Sequence, residues 1–185
     1  MSLKIIAGSL RGRTLVAPVG KGTRPTAQRM RQALFDMLMH APWAEGRIAG
    51  ARVLDAFAGT GALGLEALSR GAASCVFIEK DRAALGALRA NIAAGRVEAA
   101  CRVEPGDATR PKPGERCDLV FLDPPYGQDL VPKAAAALAA AGWIAPGALL
   151  IAETGRDETL LLGEEKLAER AHGAALVTVW LAPAG

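Results

Sequence analysis

Short apolar runs that alternate with helical patterns dominate the chain from residue 52 onward. The apolar runs lie at 53–57, 75–78, 101–104, 118–122 and 148–152, and the helical patterns lie at 63–69, 81–94 and 130–141. Apolar strands separated by helices are typical of a mostly parallel sheet covered on both faces. Two further runs, at 167–170 and 174–181, flank a His-Gly pair and predict a terminal antiparallel hairpin.

The first fifty residues follow a different pattern. Strand-like runs at 4–8 and 13–16 lie on either side of a Gly-rich turn, which predicts a β-hairpin. Apolar residues then recur at helical spacing between Met30 and Leu38. Thr26 is the expected N-cap of that helix. A linker is expected after it, over residues 43–50.

Charge is unevenly distributed along the chain. The 185 residues have a formal net charge of +3, yet residues 1–52 alone carry nine basic and two acidic side chains, a net of +7. Such asymmetry indicates contact with nucleic acid, the alternative being a solvated basic surface. We therefore divide the chain into a basic N-terminal extension, residues 1–50, and a main α/β domain, residues 51–185.

Composition excludes several classes of protein. The chain is 51% hydrophobic and 22% charged, as globular domains are. It has no apolar run long enough to span a membrane. Its three dispersed cysteines predict free, buried thiols and, with no signal peptide, a cytoplasmic protein. Two isolated histidines and the lack of paired cysteines predict no protein-bound metal. We expect a monomer.

A glycine-rich turn joins the first strand of the main domain to its helix. Gly59, Gly61 and Gly64 have the G-x-G-x-x-G spacing that lets the backbone approach a ligand closely. Glu79 ends the next strand, where a carboxylate accepts from both hydroxyls of a ribose. Asp107 follows the third strand and can accept from an adenine amine. These features predict a cofactor that contains adenosine, the alternative being a tight turn with solvated acids.

Asp55 distinguishes between such cofactors. It ends the first strand four residues before Gly59, where a carboxylate repels a pyrophosphate and attracts an ammonium group. The sequence therefore favours S-adenosylmethionine over NAD. The residues expected to bind the cofactor are Asp55, Ala56, Phe57, Gly59, Thr60, Gly61, Glu79, Lys80, Gly106, Asp107, Ala108 and Asp123.

The tetrapeptide Asp123-Pro124-Pro125-Tyr126 directly follows the run at 118–122, beside the expected cofactor crevice. A nucleobase amine is a weak nucleophile whose N–H groups must be held so that its lone pair faces a methyl group. Asp123 and the Pro124 carbonyl can each accept one N–H, Pro125 fixes the backbone direction, and Tyr126 offers a stacking face. We expect these four residues to be catalytic, through proximity and orientation, on a base flipped out of its stack. A rigid turn that ends a strand is the alternative.

These motifs resemble a known family. Two motifs, the segment 55–66 and the tetrapeptide, are similar to those of class I S-adenosylmethionine-dependent amino-methyltransferases. Three N-terminal segments make the resemblance more specific, namely 11–13, 24–26 and 29–35. Together these motifs resemble bacterial 16S ribosomal RNA guanine-N2 methyltransferases of the RsmD type. The resemblance covers about residues 4–182. Gln32 departs from it, since a Glu is expected there.

The resemblance implies a Rossmann-like, mostly parallel seven-stranded sheet with helices on both faces and an antiparallel C-terminal hairpin. It also implies methylation of one guanine N2 amine of 16S rRNA, in an assembling small ribosomal subunit. The loop at 24–26 would fold over the mouth of the active site. The residues expected to contact RNA are Arg11, Arg13, Arg24, Thr26, Arg29 and Arg31.

Other functions remain open at this point. An adenine-N6 methyltransferase of RNA or DNA uses the same tetrapeptide, although 185 residues leave no room for a separate DNA-recognition domain. A protein-glutamine methyltransferase is expected to have Asn in place of Asp123. An NAD oxidoreductase or a non-enzymatic RNA-binding module would not bind S-adenosylmethionine, which a titration tests.

Overall fold

The computed structural model describes residues 3–18, 25–125, 129–156, 160–163 and 165–184, with the backbone alone for residues 25–27. In these ranges seven strands form one sheet, in the order β3-β2-β1-β4-β5-β7-β6. The strands are β1 (Arg52–Asp55), β2 (Ser74–Glu79), β3 (Cys101–Pro105), β4 (Cys117–Leu122), β5 (Ile144–Gly155), β6 (Glu165–His172) and β7 (Ala175–Leu181).

The first five strands are parallel, and β7 runs antiparallel to both β5 and β6. The predicted α/β fold with a C-terminal antiparallel hairpin is therefore confirmed. The chain moves outward from β1 to β3 and then returns to β4 on the other side of β1. Open α/β sheets bind ligands at this kind of switch point, outside the carboxyl ends of the strands.

Four helices accompany the sheet in the described part of the chain: α1 (Pro25–His40), α2 (Ala62–Ser69), α3 (Arg82–Gly95) and α4 (Leu130–Ala140). Asp81 caps α3, since its Oδ1 accepts from the Ala84 N–H at 2.8 Å. Thr26 is not the cap of α1, because the helix already begins at Pro25. Proline suits the first helical position because its missing N–H needs no partner there.

Two hydrophobic cores lie on opposite faces of the sheet. One includes Phe35 of α1, Leu65 of α2 and Phe121 of β4. The other includes Leu138 of α4 and Trp143. The segment predicted as a linker contributes to the first core, because Ile48 is buried there. Burial on both faces explains why the strands are apolar without alternation.

Residues 3–18 lie on the main domain, and the predicted hairpin is present as one antiparallel bridge, between Lys4 and Thr14, with three backbone hydrogen bonds across it. The N–H groups of Ile6 and Ala7 donate to the Glu66 carboxylate of α2, at 2.8 and 3.0 Å. The N-terminal segment is thus held by a buried side chain about sixty residues away in sequence.

Glu66 is also the centre of a buried charge cluster. It is fully buried and lies 2.9 Å from Nε of Arg70 and 4.0 Å from Nε of Arg31. The Arg31 guanidinium in turn donates to the Lys4 carbonyl. One carboxylate therefore holds the N-terminal segment, α1 and α2 together.

Glu66→Gln removes the charge that Arg31 and Arg70 face while keeping the shape of the side chain. We expect a loss of about 3–5 kcal/mol in the free energy of unfolding, because two buried guanidinium groups lose their counter-charge. Urea unfolding measures it, with the exposed Glu45→Gln as a control that changes stability by less than about 0.5 kcal/mol. A Glu66→Gln protein as stable as this control would contradict the role of the cluster.

Candidate active site

Two cavities open at the carboxyl edge of the sheet and meet at Asp123. The large cavity, of about 690 Å³, covers the ends of β1 and β2 and the turn after β3. The small cavity, of about 180 Å³, lies between α1 and the ends of β4 and β5. Both are lined by Asp123, Thr60, Ala62 and Leu63. A group bound in one cavity can therefore meet a group bound in the other beside the Asp123 carboxyl.

The structure gathers the residues expected to bind the cofactor around the large cavity. Those lining it are Asp55, Ala56, Phe57, Gly59, Thr60, Glu79, Lys80, Gly106, Asp107, Ala108 and Asp123. Gly61 lies behind this wall at the start of α2, with a φ of 81°. A Cβ there would lie 2.5 Å from Leu88, so this glycine serves turn geometry and packing.

Glu79 fixes the glycine-rich turn against β2. Its Oε2 accepts from the Gly59 N–H at 2.7 Å, and its Oε1 accepts from the N–H groups of Lys80 and Asp81, both at 2.8 Å. A carboxylate has roughly four acceptor positions, so three of them are occupied here. The Glu79 carboxylate can therefore accept from one further donor. The sequence predicts two such donors, the hydroxyls of a ribose.

Asp55 is a buried acid at the floor of the large cavity. It is 1% exposed, and its Oδ2 accepts from the Gly64 N–H at 3.0 Å. The pKa of Asp55 is raised to about 7, mainly by burial and to a smaller extent by the charge of Glu79, while the bond from Gly64 opposes the shift. A cationic ligand group beside Asp55 would stabilise its ionised form.

Gly64 allows the close contact between α2 and β2 that positions this bond. A Cβ at Gly64 would lie 2.4 Å from the Phe77 ring and 2.5 Å from the Cys75 sulfur. The third glycine of the motif therefore serves helix–strand packing.

Asp123 lies beside a second acid, Glu153. Leu122 of β4 pairs in register with Ala152 of β5, so the next residue of each strand lies side by side at the carboxyl edge. Both acids line the small cavity. Burial raises the pKa of Asp123, and the charges of Glu153 and Asp55 raise it further. Neighbouring carboxyls resist joint ionisation, and a bound N–H donor relieves this.

The two prolines of the tetrapeptide line the large cavity, Pro124 buried and Pro125 exposed. Tyr126 lies outside the described residues. Asp107, on the same wall, accepts from the N–H and hydroxyl of Thr109 at 2.9 and 2.7 Å, and these bonds lower its pKa. Asp107 therefore presents an ionised acceptor to the cavity.

Comparisons with known proteins agree with this arrangement. The sequence family described as Conserved hypothetical protein 95 matches residues 3–180. Ribosomal RNA small subunit methyltransferase D of Escherichia coli (strain K12) is 40% identical over 154 residues, which cover 82% of this chain and 74% of that protein. The chain belongs to the family of ribosomal RNA small subunit methyltransferase D.

Solved structures place the family among class I methyltransferase folds. The Escherichia coli protein yhhF has a TM-score of 0.85 and 35% identity, with both chains covered in full (100%). The 16S rRNA N2 G1207 methyltransferase of T. thermophilus, solved with AdoMet and guanosine, has a TM-score of 0.70 at 20% identity and covers 98% of this chain and 50% of its own. The second comparison shows a shared fold.

The arginines expected to contact RNA divide into exposed and buried positions. Arg11, Arg13 and Arg29 are exposed, and Arg13 donates to the Ala94 carbonyl at the end of α3. Arg31 is only 6% exposed, and burial lowers the pKa of its guanidinium. The expected phosphate contact by Arg31 does not fit this position, because the N-terminal segment and Glu66 enclose the side chain.

The side chains of two further residues expected to contact RNA are not described. Arg24 lies outside the described residues. Thr26 lies within α1, and only its backbone is described. Their contacts with RNA stay predictions.

Sequence reasoning missed two residues of the small cavity. Glu153 directly follows the apolar run at 148–152, as Asp123 follows 118–122, so the same rule of strand ends would have found it. The sequence predicts an RNA contact for Arg31, whereas its side chain lies in the wall of the small cavity. No local signal marks its burial, which depends on the distant Glu66.

Metal-binding clusters and membrane-spanning helices are both absent from the described ranges. Within them, His, Cys, Asp and Glu side chains do not form a group of three or more suited to a metal ion. None of the helices described here has the length and apolar character needed to cross a membrane.

Asp55→Asn removes the titrating group and keeps an acceptor for Gly64. The pKa of Asp55 in the folded protein, about 7, lies above its ordinary value of 3.8. The protonated carboxyl therefore stabilises the ligand-free fold fully below about pH 4. This contribution to the free energy of unfolding is lost as the pH rises to 7. We expect the stability of the wild type relative to Asp55→Asn to fall by up to about 4 kcal/mol over this range. Urea unfolding of both proteins from pH 4 to 8 measures it, and a constant difference would contradict the shift.

Proposed function

We propose that this chain transfers a methyl group from S-adenosylmethionine to the exocyclic N2 amine of a guanine in 16S rRNA. Membership of the family supports ribosomal RNA as the substrate class. The observation that carries the chemistry is the meeting of the two cavities at Asp123.

The walls of the large cavity fit S-adenosylmethionine. Asp107 offers an acceptor for the adenine amine, Glu79 has a remaining acceptor position for a ribose hydroxyl, and Asp55 favours the ammonium group. When bound, this cofactor supplies an electrophilic methyl group on a sulfonium centre that is a good leaving group. A pyrophosphate in its place would face the carboxylate of Asp55.

Asp123 has the position and environment for orienting an amine. Its carboxyl lies where the cavities join, so it can accept an N–H from a base in the small cavity while the lone pair of that amine faces the large one. Pro124 follows directly and has a carbonyl for the second N–H. The raised pKa of Asp123 also suits it to take up the proton after transfer.

Helix α1 joins the expected RNA surface to the small cavity. Met30 and Leu34 line that cavity, whereas the neighbouring Arg29 is exposed. RNA phosphates bound at Arg29 would bring a flipped base to the cavity mouth. Arg11 follows Leu10, whose N–H donates to Ser69 at the far end of α2, so it would contact RNA farther from the cavity. Contacts of this kind would contribute to the choice of the target.

Asp123→Ala tests the amine-holding role. We expect methyl transfer to 16S rRNA to fall by about 10²–10⁴-fold, because the amine loses the acceptor that orients it. Labelled S-adenosylmethionine is supplied with naked 16S rRNA and with 30S particles, and the product nucleosides are analysed. Asp118→Ala, at the opposite end of β4, is the matched control and should retain activity.

Two results of this assay would contradict the proposal. A fully active Asp123→Ala would remove the role of the carboxyl. N6-methyladenosine as the wild-type product, in place of N2-methylguanosine, would show that the enzyme acts on adenine.

The double change Arg11→Ala and Arg29→Ala tests the RNA surface. We expect weaker binding to 16S rRNA and a shallower dependence of log Kd on log salt, because the slope decreases by about one for each phosphate that no longer meets an arginine. Arg116→Ala, an exposed arginine at the amino edge of the sheet, is the control. An unchanged salt dependence in the double variant would place the RNA elsewhere.

A further inference from the structure

The small cavity has three charged residues in an otherwise mostly apolar wall. Among the residues that the structure describes, these are Arg31, Asp123 and Glu153, and the other described residues of the wall are apolar apart from Thr60. Its volume of about 180 Å³ exceeds the ~150 Å³ of a cavity known to admit a benzene ring. The cavity therefore has room for a planar ring and a few polar groups to orient it.

Arg31 brings a guanidinium group to this wall. Its side chain is 6% exposed, and its Nε lies 4.0 Å from the Glu66 carboxylate, beyond hydrogen-bond distance. Because hydrogen bonds to a charged donor are stronger than neutral ones, an acceptor on a ligand in the cavity would be stabilised by this side chain.

Glu153 and Asp123 bring two neighbouring acceptors. Their strands are adjacent and in register, so the two carboxyls lie side by side on the same face. A ligand with two adjacent N–H donors could donate one to each carboxyl and reduce their mutual repulsion. The wall thus combines one donor with two acceptors.

Guanine has the complementary pattern on its Watson–Crick edge, with O6 as an acceptor and N1–H and the N2 amine as donors. We propose that Arg31 and Glu153 select guanine, with Arg31 donating to O6 and Glu153 accepting from N1–H beside Asp123. This inference rests on the proposed function and assigns the choice of base to two residues.

Adenine is rejected by the same wall. In the equivalent pose it places the lone pair of N1 against the Glu153 carboxyl and offers Arg31 no O6. Buried polar groups left unpaired in this way are a strong source of discrimination. The tetrapeptide that holds the amine therefore does not need to distinguish the two purines.

The test compares guanine with 2-aminopurine at the target position of the shortest rRNA fragment that the wild type methylates. 2-Aminopurine keeps the exocyclic amine but lacks O6 and N1–H. We expect the wild-type kcat/KM to be at least about 10- to 100-fold lower on 2-aminopurine, as the loss of hydrogen bonds to charged groups implies. Equal rates on the two bases would overturn the proposal.

Glu153→Gln separates base selection from a structural role. Its amide can donate to the N1 lone pair of 2-aminopurine, so the preference for guanine should fall at least about tenfold. The exposed Glu98→Gln is the matched control and should keep the wild-type ratio. A folded Glu153→Gln that slows on both bases alike, with the ratio unchanged, would overturn the role of Glu153.

The outcomes distinguish this inference from the proposed function. If thermal melting shows that Glu153→Gln does not fold, the wild-type ratio on the two bases decides. N2-methylguanosine formed with no selectivity against 2-aminopurine contradicts this inference alone. N6-methyladenosine as the product contradicts the proposed function and this inference together.

Discussion

The parallel register of β1, β4 and β5 brings three acidic side chains to one face of the sheet at its carboxyl edge. Asp55 of β1, Asp123 after β4 and Glu153 of β5 lie there, all lining the two cavities. Burial raises the pKa of Asp55 and of Asp123, and the charges of Glu153 and Asp55 add to the shift at Asp123. Such an edge favours ligands that bring a cation and N–H donors, and the proposed cofactor and base each supply one of these.

The basic residues of the N-terminal part of the chain serve two different purposes. The Arg31 side chain is buried beside Glu66, supports the fold there and lines the small cavity. Arg11 and Arg29 remain exposed and are available to phosphates. The charge of the extension therefore contributes both to the wall of the proposed base site and to the proposed RNA surface.

The sheet and the large cavity can be predicted from local sequence patterns. The position of Arg31 in the wall of the small cavity cannot. Apolar runs and strand-end acids such as Asp55 and Asp123 predict the sheet and the large cavity because each signal lies within a few residues. The burial of Arg31 depends on Glu66, and the same side chain holds the N-terminal hairpin on α2 by accepting from the N–H groups of Ile6 and Ala7. Contacts between residues so far apart in sequence leave no local pattern.

The central claim is that base and cofactor meet across the Asp123 carboxyl. A crystal structure with S-adenosylhomocysteine and a guanosine-containing RNA fragment tests it most directly. The predicted result is guanine in the small cavity with its N2 amine within hydrogen-bond distance of Asp123, and the thioether sulfur in the large cavity facing that amine. A base bound outside the small cavity, or an N2 amine turned away from Asp123, would contradict the account.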